Sequence, residues 1–220
     1  MQGSVTVLVY CAEPFLLPKG NRMNIAELQN EVINRMRRPD LVDLIKSRVI
    51  GTIKQLHGSG YYARDRVEEV IKIGNPSCTT KLTIPPYWRR FVALVPFTES
   101  GTTNIPLLRT DHQDFELSDV TALWQTDDNI NTYYVSFNTV TIKSEVAFSK
   151  LYACYFKYPD LRDLTVTTWV TEHYEQLVID YTLAAIYTAI GNKDLADTHK
   201  VLASDLYKQF LVNSEAEGVY

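Results

Sequence analysis

The strongest pattern of apolar and polar positions lies at the C-terminal end of the chain. From Thr168 to Leu211 two helical runs are separated by one break, Gly191-Asn192. In the first, Val170, Tyr174, Leu177, Tyr181, Ala184 and Ile186 recur at spacings of two to four residues, which places most of them on one helix face. Thr165, Thr167 and Thr168 can each cap its N-terminus, and Glu172 sits near the positive end of the helix dipole. Gly191 suits a left-handed C-cap, and Asn192 or Asp194 can open the next helix. In the second run Leu195, Leu202, Leu206 and Phe210 form a seam, with Ala196 and Ala203 beside it. Two long amphipathic helices joined by a short break predict an antiparallel hairpin. A single hairpin cannot bury both seams, so other parts of the chain, or another chain, must cover it.

Two further helical patterns stand near the beginning. Ile25, Leu28, Val32 and Met36 predict a helix over 24–37, ended by Arg38-Pro39 because the residue before proline avoids the α region. Leu41, Leu44, Ile45, Val49, Ile53 and Leu56 predict a second over 40–57, stopped by Gly58-Ser59-Gly60. From Tyr61 to Pro159 the period changes. Residues 67–73, 81–84, 90–97, 133–142 and 147–156 read as five strands rich in β-branched and aromatic side chains. Between the third and fourth lies a long polar stretch, 99–132, with seven acidic side chains against one basic, Arg109. A connection of that length inside a domain is a functional loop or a protruding subdomain.

The expected fold is α+β and mainly helical. Residues 23–60 and 160–212 form a four-helix bundle, 61–159 a β-rich insertion between helices two and three, and 213–220 an extended C-terminal tail. Residues 1–22, with Val5, Val7 and Val9 alternating before Pro14, Pro18 and Gly20, are either an N-terminal arm or lie upstream of an original start at Met23.

Composition narrows the functional classes. A net charge of −4 argues against a general nucleic-acid binder. No stretch approaches ~18 uninterrupted apolar residues, so no membrane-spanning helix is expected. Cys11, Cys78 and Cys154 are far apart and lack a CxxC neighbour, which suits reduced, half-buried thiols rather than a disulfide framework or zinc site. Fourteen tyrosines suit half-buried surfaces and interfaces.

Catalytic patterns are absent: there is no HExxH, P-loop, GxGxxG after a strand, or nucleophile elbow. Gly58-Ser59-Gly60 lacks the residues that phosphate binding needs. His57, His112, His173 and His199 are scattered; His173 and His199 could meet across the C-terminal hairpin, but no ligand set completes a metal sphere. The acid pairs Glu68-Glu69 and Asp127-Asp128 could serve a glycosidase only if both carboxylates faced one sugar, and sequence neighbours on a strand face opposite ways. No catalytic residue, cofactor or metal is therefore assigned. Arg64-Asp65-Arg66, at the helix-to-strand corner, is a corner salt bridge or, more sharply, a subunit contact.

The order of parts resembles the head-to-tail adaptors of tailed bacteriophages, in particular those of short-tailed phages. The features that carry this are the aromatic strand Leu151-Tyr152-Ala153-Cys154-Tyr155-Phe156-Lys157-Tyr158-Pro159, the helix with early Trp169 running into Ala184-Ala185-Ile186-Tyr187, the turn Gly191-Asn192-Lys193-Asp194 and the last amphipathic helix. Ala26-Glu27-Leu28, Tyr62-Ala63-Arg64-Asp65, Lys81-Leu82-Thr83-Ile84-Pro85 and the 87–95 strand also fit. The resemblance spans about residues 23–212 and rests on architecture and scattered positions, without an invariant motif.

It implies a structural virion protein, not an enzyme: a ring, commonly of twelve copies, between the capsid portal and the tail nozzle or tail tube, with genomic DNA passing through its channel. An acidic or neutral channel wall lets phosphates slide, whereas a basic one would hold them. The alternatives are another neck or completion protein, or a virion-associated peptidoglycan hydrolase. The expected portal contacts are the tail residues Asn213, Ser214, Glu215, Val219 and Tyr220. The expected tail contacts are Asp111, Asp114, Glu116, Asp127 and Asp128 of the acidic stretch, and the expected subunit contacts are Arg64, Asp65 and Arg66.

Overall fold

The computed structural model describes residues 22–98, 106–110 and 131–216. Five α-helices come from its two ends: α1 (Ile25–Met36), α2 (Val42–Gly58), α3 (Trp169–His173), α4 (Glu175–Ala189) and α5 (Lys193–Ala216). Between them lie β1 (Arg66–Thr83), β2 (Trp88–Phe97), β3 (Leu108–Arg109), β4 (Thr132–Ser136) and β5 (Thr139–Lys157). This corrects the mainly helical four-helix bundle. The molecule is an α+β protein in which a mixed five-stranded sheet is a full partner to five helices.

The β region outgrew its expectation because short strand signals fuse. The run 67–73 and residues 81–83 of the run 81–84 belong to one strand of 18 residues, β1. Gly74-Asn75-Pro76 does not end it: β1 pairs on one side only among the described residues, and an edge position tolerates a residue without an N–H. The pairing instead absorbs Pro76 as an irregularity between Lys72 and Ser77. The expected strand 133–142 breaks at Phe137-Asn138 into the hairpin of β4 and β5, where Phe137 adopts a left-handed φ of 52°.

β5 is the central strand. It runs antiparallel to β1 along its length, and its other side is shared by β4 near its start and β2 near its end. β3 lies parallel to β4. Phe91, Leu94, Ile142, Phe148, Leu151 and Tyr155 bury one core on this sheet.

The helical layer has its own core, in which Leu28, Ile45, Val49, Ile53 and Leu177 are buried as expected. Asn24 caps α1 through a capping box with Glu27. A 3-10 turn, Pro39–Leu41, precedes α2. Thr168 caps α3, but the helix expected to continue from there is interrupted at Tyr174 before α4 starts. Gly191, at φ 79°, closes α4: its N–H donates to Thr188 O at 3.2 Å and that of Asn192 to Tyr187 O at 2.9 Å. That double bond is a Schellman motif.

α5 differs from expectation twice. Its buried stripe is Ala196, Ala203 and Phe210: of the expected seam Phe210 is buried and Leu206 half-buried, while Leu195 and Leu202 are 41% and 48% exposed. The helix also continues to Ala216, so Asn213, Ser214 and Glu215 belong to it and not to an extended tail. Val219 and Tyr220 lie outside the described residues, as do the arm 1–21 and the acidic positions Asp111, Asp114, Glu116, Asp127 and Asp128.

Candidate functional site

The two halves of the molecule meet at a buried charged joint. α2 ends at Gly58, a 3-10 turn at Ala63–Asp65 redirects the chain, and β1 begins at Arg66. The turn aims Asp65 inward, where its side chain is 3% exposed. Trp169 Nε1 donates to Asp65 Oδ1 at 2.7 Å, and His57 Nδ1 donates to the same oxygen at 2.8 Å. Arg89 of β2 approaches Asp65 Oδ2 at 3.4 Å. It also donates to the carbonyls of His57 and Gly60, each at 2.6 Å. Its guanidinium lies over the rings of Tyr61 and Tyr158, at 5.0 and 4.8 Å from their centroids. Gly60 is needed here, since a Cβ would sit 2.9 Å from the Tyr62 ring.

Each part has a physical reason. The last carbonyls of a helix lack intrahelical donors and carry partial negative charge, which a guanidinium satisfies well. A buried carboxylate is costly unless neutralised and hydrogen-bonded, and Asp65 has three donors from three separate elements. It is consequently not free to act as a base. The joint fixes the angle at which the sheet leaves the helices. Around it Tyr62, Trp169, Tyr174 and Phe210 make a ring-on-ring cluster, with Trp169 and Phe210 stacked at 5.6 Å.

This corrects the placement of Asp65 on a subunit contact: it lies inside the protomer. Arg64 is exposed, its guanidinium 5.9 Å from the Trp169 ring centroid, and Arg66 pairs with Glu68 at 3.1 Å. Nothing in the sequence separated Arg89 from its neighbour Arg90, or marked His57 as anything beyond a helix end. The joint forms across 104 residues of chain between Asp65 and Trp169.

A second polar cluster ties α4 to α5. His199 Nδ1 donates to buried Asp180 at 2.8 Å, Gln176 Nε2 donates to the other Asp180 oxygen at 2.7 Å, and Tyr187 stacks on the imidazole at 5.6 Å. His199 is thus committed to Asp180 rather than to His173. An oriented imidazole is half of a catalytic arrangement, but no serine, cysteine or further carboxylate stands at hydrogen-bond distance from it among the described residues. No group of three or more His, Cys, Asp or Glu side chains there could hold a metal ion. Cys78 is exposed on β1, against the half-buried expectation, and Cys154 is buried on β5.

The outer surface offers contact sites instead. Leu195 and Leu202 form an apolar flank along α5, beside its buried stripe. Lys54 and Ile50 of α2, the latter also packed on the helical core, line a groove of about 420 Å³ whose other walls include Tyr158, Leu161 and Leu164. Phe137 stands fully exposed at the tip of the β4–β5 hairpin. A left-handed bulky residue is strained, and such strain persists where the surroundings or a function hold it.

No model of a known protein family matches the chain, and no curated protein is similar to it. No helix among the described residues is long and apolar enough to cross a membrane.

Proposed function

We propose that this chain is a structural virion protein that assembles as a ring between the capsid portal and the tail and leaves a channel through which the genome passes. The observation that carries the reading is a pair of unlike contact surfaces on one protomer: the apolar flank of α5 and the groove beside α2. Unlike surfaces that meet give a heterologous contact, which closes into a ring when its rotation permits. The resemblance of the order of parts to phage adaptors supports a place for the ring with portal on one side and nozzle or tube on the other. The buried joint at Asp65 supports the same role, because it holds the sheet at a fixed angle to the helices, as a spacer between two partners requires. Exposed Phe137 is a ready anchor for the partner at the sheet end.

Leu202→Glu tests the ring contact. Leu202 is 48% exposed, and surface changes away from structural features stay within about 0.5 kcal/mol. The variant is expected to melt as the wild type does and to fail to form rings, alone or on portal. Rings formed as readily by the variant as by the wild type would remove the α5 flank from the contact.

A further inference from the structure

Among the described residues β1 leaves one side open. Its inner edge pairs with β5, and among the described residues no strand pairs with its outer edge. Folded proteins guard such edges with proline, bulges and short length. The second half of β1 is guarded, since Gly74-Asn75-Pro76 falls at an irregularity in the pairing and Pro76 has no N–H to offer. The first half is not. From Arg66 to Lys72 the register against Phe156 to Lys150 is unbroken.

The two faces of this half-strand differ. Val67, Ile71 and Ile73 pack against the sheet core. Arg66, Glu68, Val70 and Lys72 line the opposite face, where Val70 is 58% exposed in the middle of the strand. Glu68 is paired with Arg66 at 3.1 Å and accepts from the Tyr152 hydroxyl. Lys72 is exposed and has no acidic partner among the described residues.

We propose that two copies of this chain pair antiparallel through this edge of β1, with Val70 opposite its own counterpart on the two-fold axis. In an antiparallel pair, directly opposite residues share a face. A continuous core face across both copies therefore requires even-numbered residues to oppose even-numbered ones. Among such registers that pair at least five strand residues, centring on Glu69 sets Arg66 against Lys72 and Glu69 against Glu69. Centring on Ile71 sets Glu68 against Gly74, and centring on Glu68 or Lys72 sets like charge on like. Centring on Val70 alone sets Glu68 against Lys72, twice by symmetry. It also sets Val67 against Ile73 on the core face. About Val70, Glu68 and Lys72 of one copy thus meet Lys72 and Glu68 of the other, while Glu69 stands opposite Ile71. Like charges directly opposite destabilise a strand pair and unlike charges stabilise it, so this register is selected over its neighbours.

The contact goes beyond the connector reading and does not depend on it, since it uses neither the α5 flank nor the α2 groove. The test takes the full chain in a Cys78→Ser background. Val70→Cys, on the axis, is expected to cross-link to a covalent dimer under mild oxidation far faster than the control Val92→Cys, which is exposed on β2. In sedimentation equilibrium Lys72→Glu is expected to weaken dimerisation roughly tenfold or more. Glu68→Lys is expected to do the same, and the double exchange Glu68→Lys/Lys72→Glu to restore it. Circular dichroism establishes that each variant folds. A protein that stays monomeric at the highest attainable concentration would overturn the proposal, whether or not rings form on portal. So would Val70→Cys cross-linking no faster than Val92→Cys, or a double exchange no better than either single change.

Discussion

Replacing Asp65 by alanine probes the joint most sharply. The carboxylate accepts from Trp169 at 2.7 Å and from His57 at 2.8 Å and lies 3.4 Å from Arg89. Its side chain is 3% exposed and that of Arg89 8%, so water cannot take over the lost partners. Breaking a buried pair by removing one member costs about 3–5 kcal/mol. For a chain of this size each kcal/mol lowers the melting temperature by about 2–4 °C, giving a fall of roughly 6–20 °C. Asp65→Asn should cost less, about 1–3 kcal/mol, because the amide oxygen can still accept from both Trp169 and His57, while its NH₂ takes the place of the oxygen facing Arg89. Arg89→Ala should be costly alone, yet the double change Asp65→Ala/Arg89→Ala should cost less than the sum, since the second removal no longer strands a charge. Thermal unfolding by circular dichroism reads all four proteins. Strict additivity, or an Asp65→Ala midpoint within about 2 °C of wild type, would show that Asp65 and Arg89 do not act as a pair.

Further outcomes follow from single features. Phe210→Ala removes a ring packed on Tyr62, Trp169 and Tyr174 and should cost about 3–5 kcal/mol in urea unfolding; a cost below about 1 kcal/mol would mean that α5 does not rest on that cluster. Gly191→Ala forces a left-handed alanine at φ 79° and should lose about 1–2 kcal/mol, whereas unchanged stability would show that the Schellman turn is dispensable. The hydroxyls of Tyr152 and Tyr155 are pushed up to about 12, by burial first and then by hydrogen bonds to Glu68 and Glu69. Their raised values favour the neutral forms in the fold, so that stabilisation is complete below about pH 10 and is lost as pH rises through about 12. Melting temperatures should therefore drop over that window, less steeply in Tyr155→Phe, and a flat profile would contradict the assignment.

Much of the helical half was legible. The stripes of α1 and α2 and the Gly191 turn follow from local rules of spacing and capping, which act over a few residues; of the three threonines that could cap α3, the structure uses Thr168. The stripe of α5 was misplaced by one position because Leu195 and Leu202 outweigh Ala196 and Ala203 on any hydrophobic scale. The helix turns its small residues toward α4 and leaves the leucines outside. Close packing, not hydrophobicity, decides such cases. The sheet was underestimated for a related reason. Pro76 reads as a terminator locally, and β1 runs through it where no strand among the described residues pairs with its outer edge. Asp65 drew attention as a charged corner, but its partners His57, Arg89 and Trp169 come from three separate elements that adjoin only after folding. The exposed surfaces have no sequence signature at all: an apolar residue that faces a partner looks like one that faces the core.

The proposed ring seats on a portal. Electron microscopy of the purified protein, imaged alone and after mixing with portal rings, measures this directly. Closed rings of one diameter, stacked coaxially on portal with an open central channel, are expected. Particles that never close, or that show no density on portal at any mixing ratio, would contradict it.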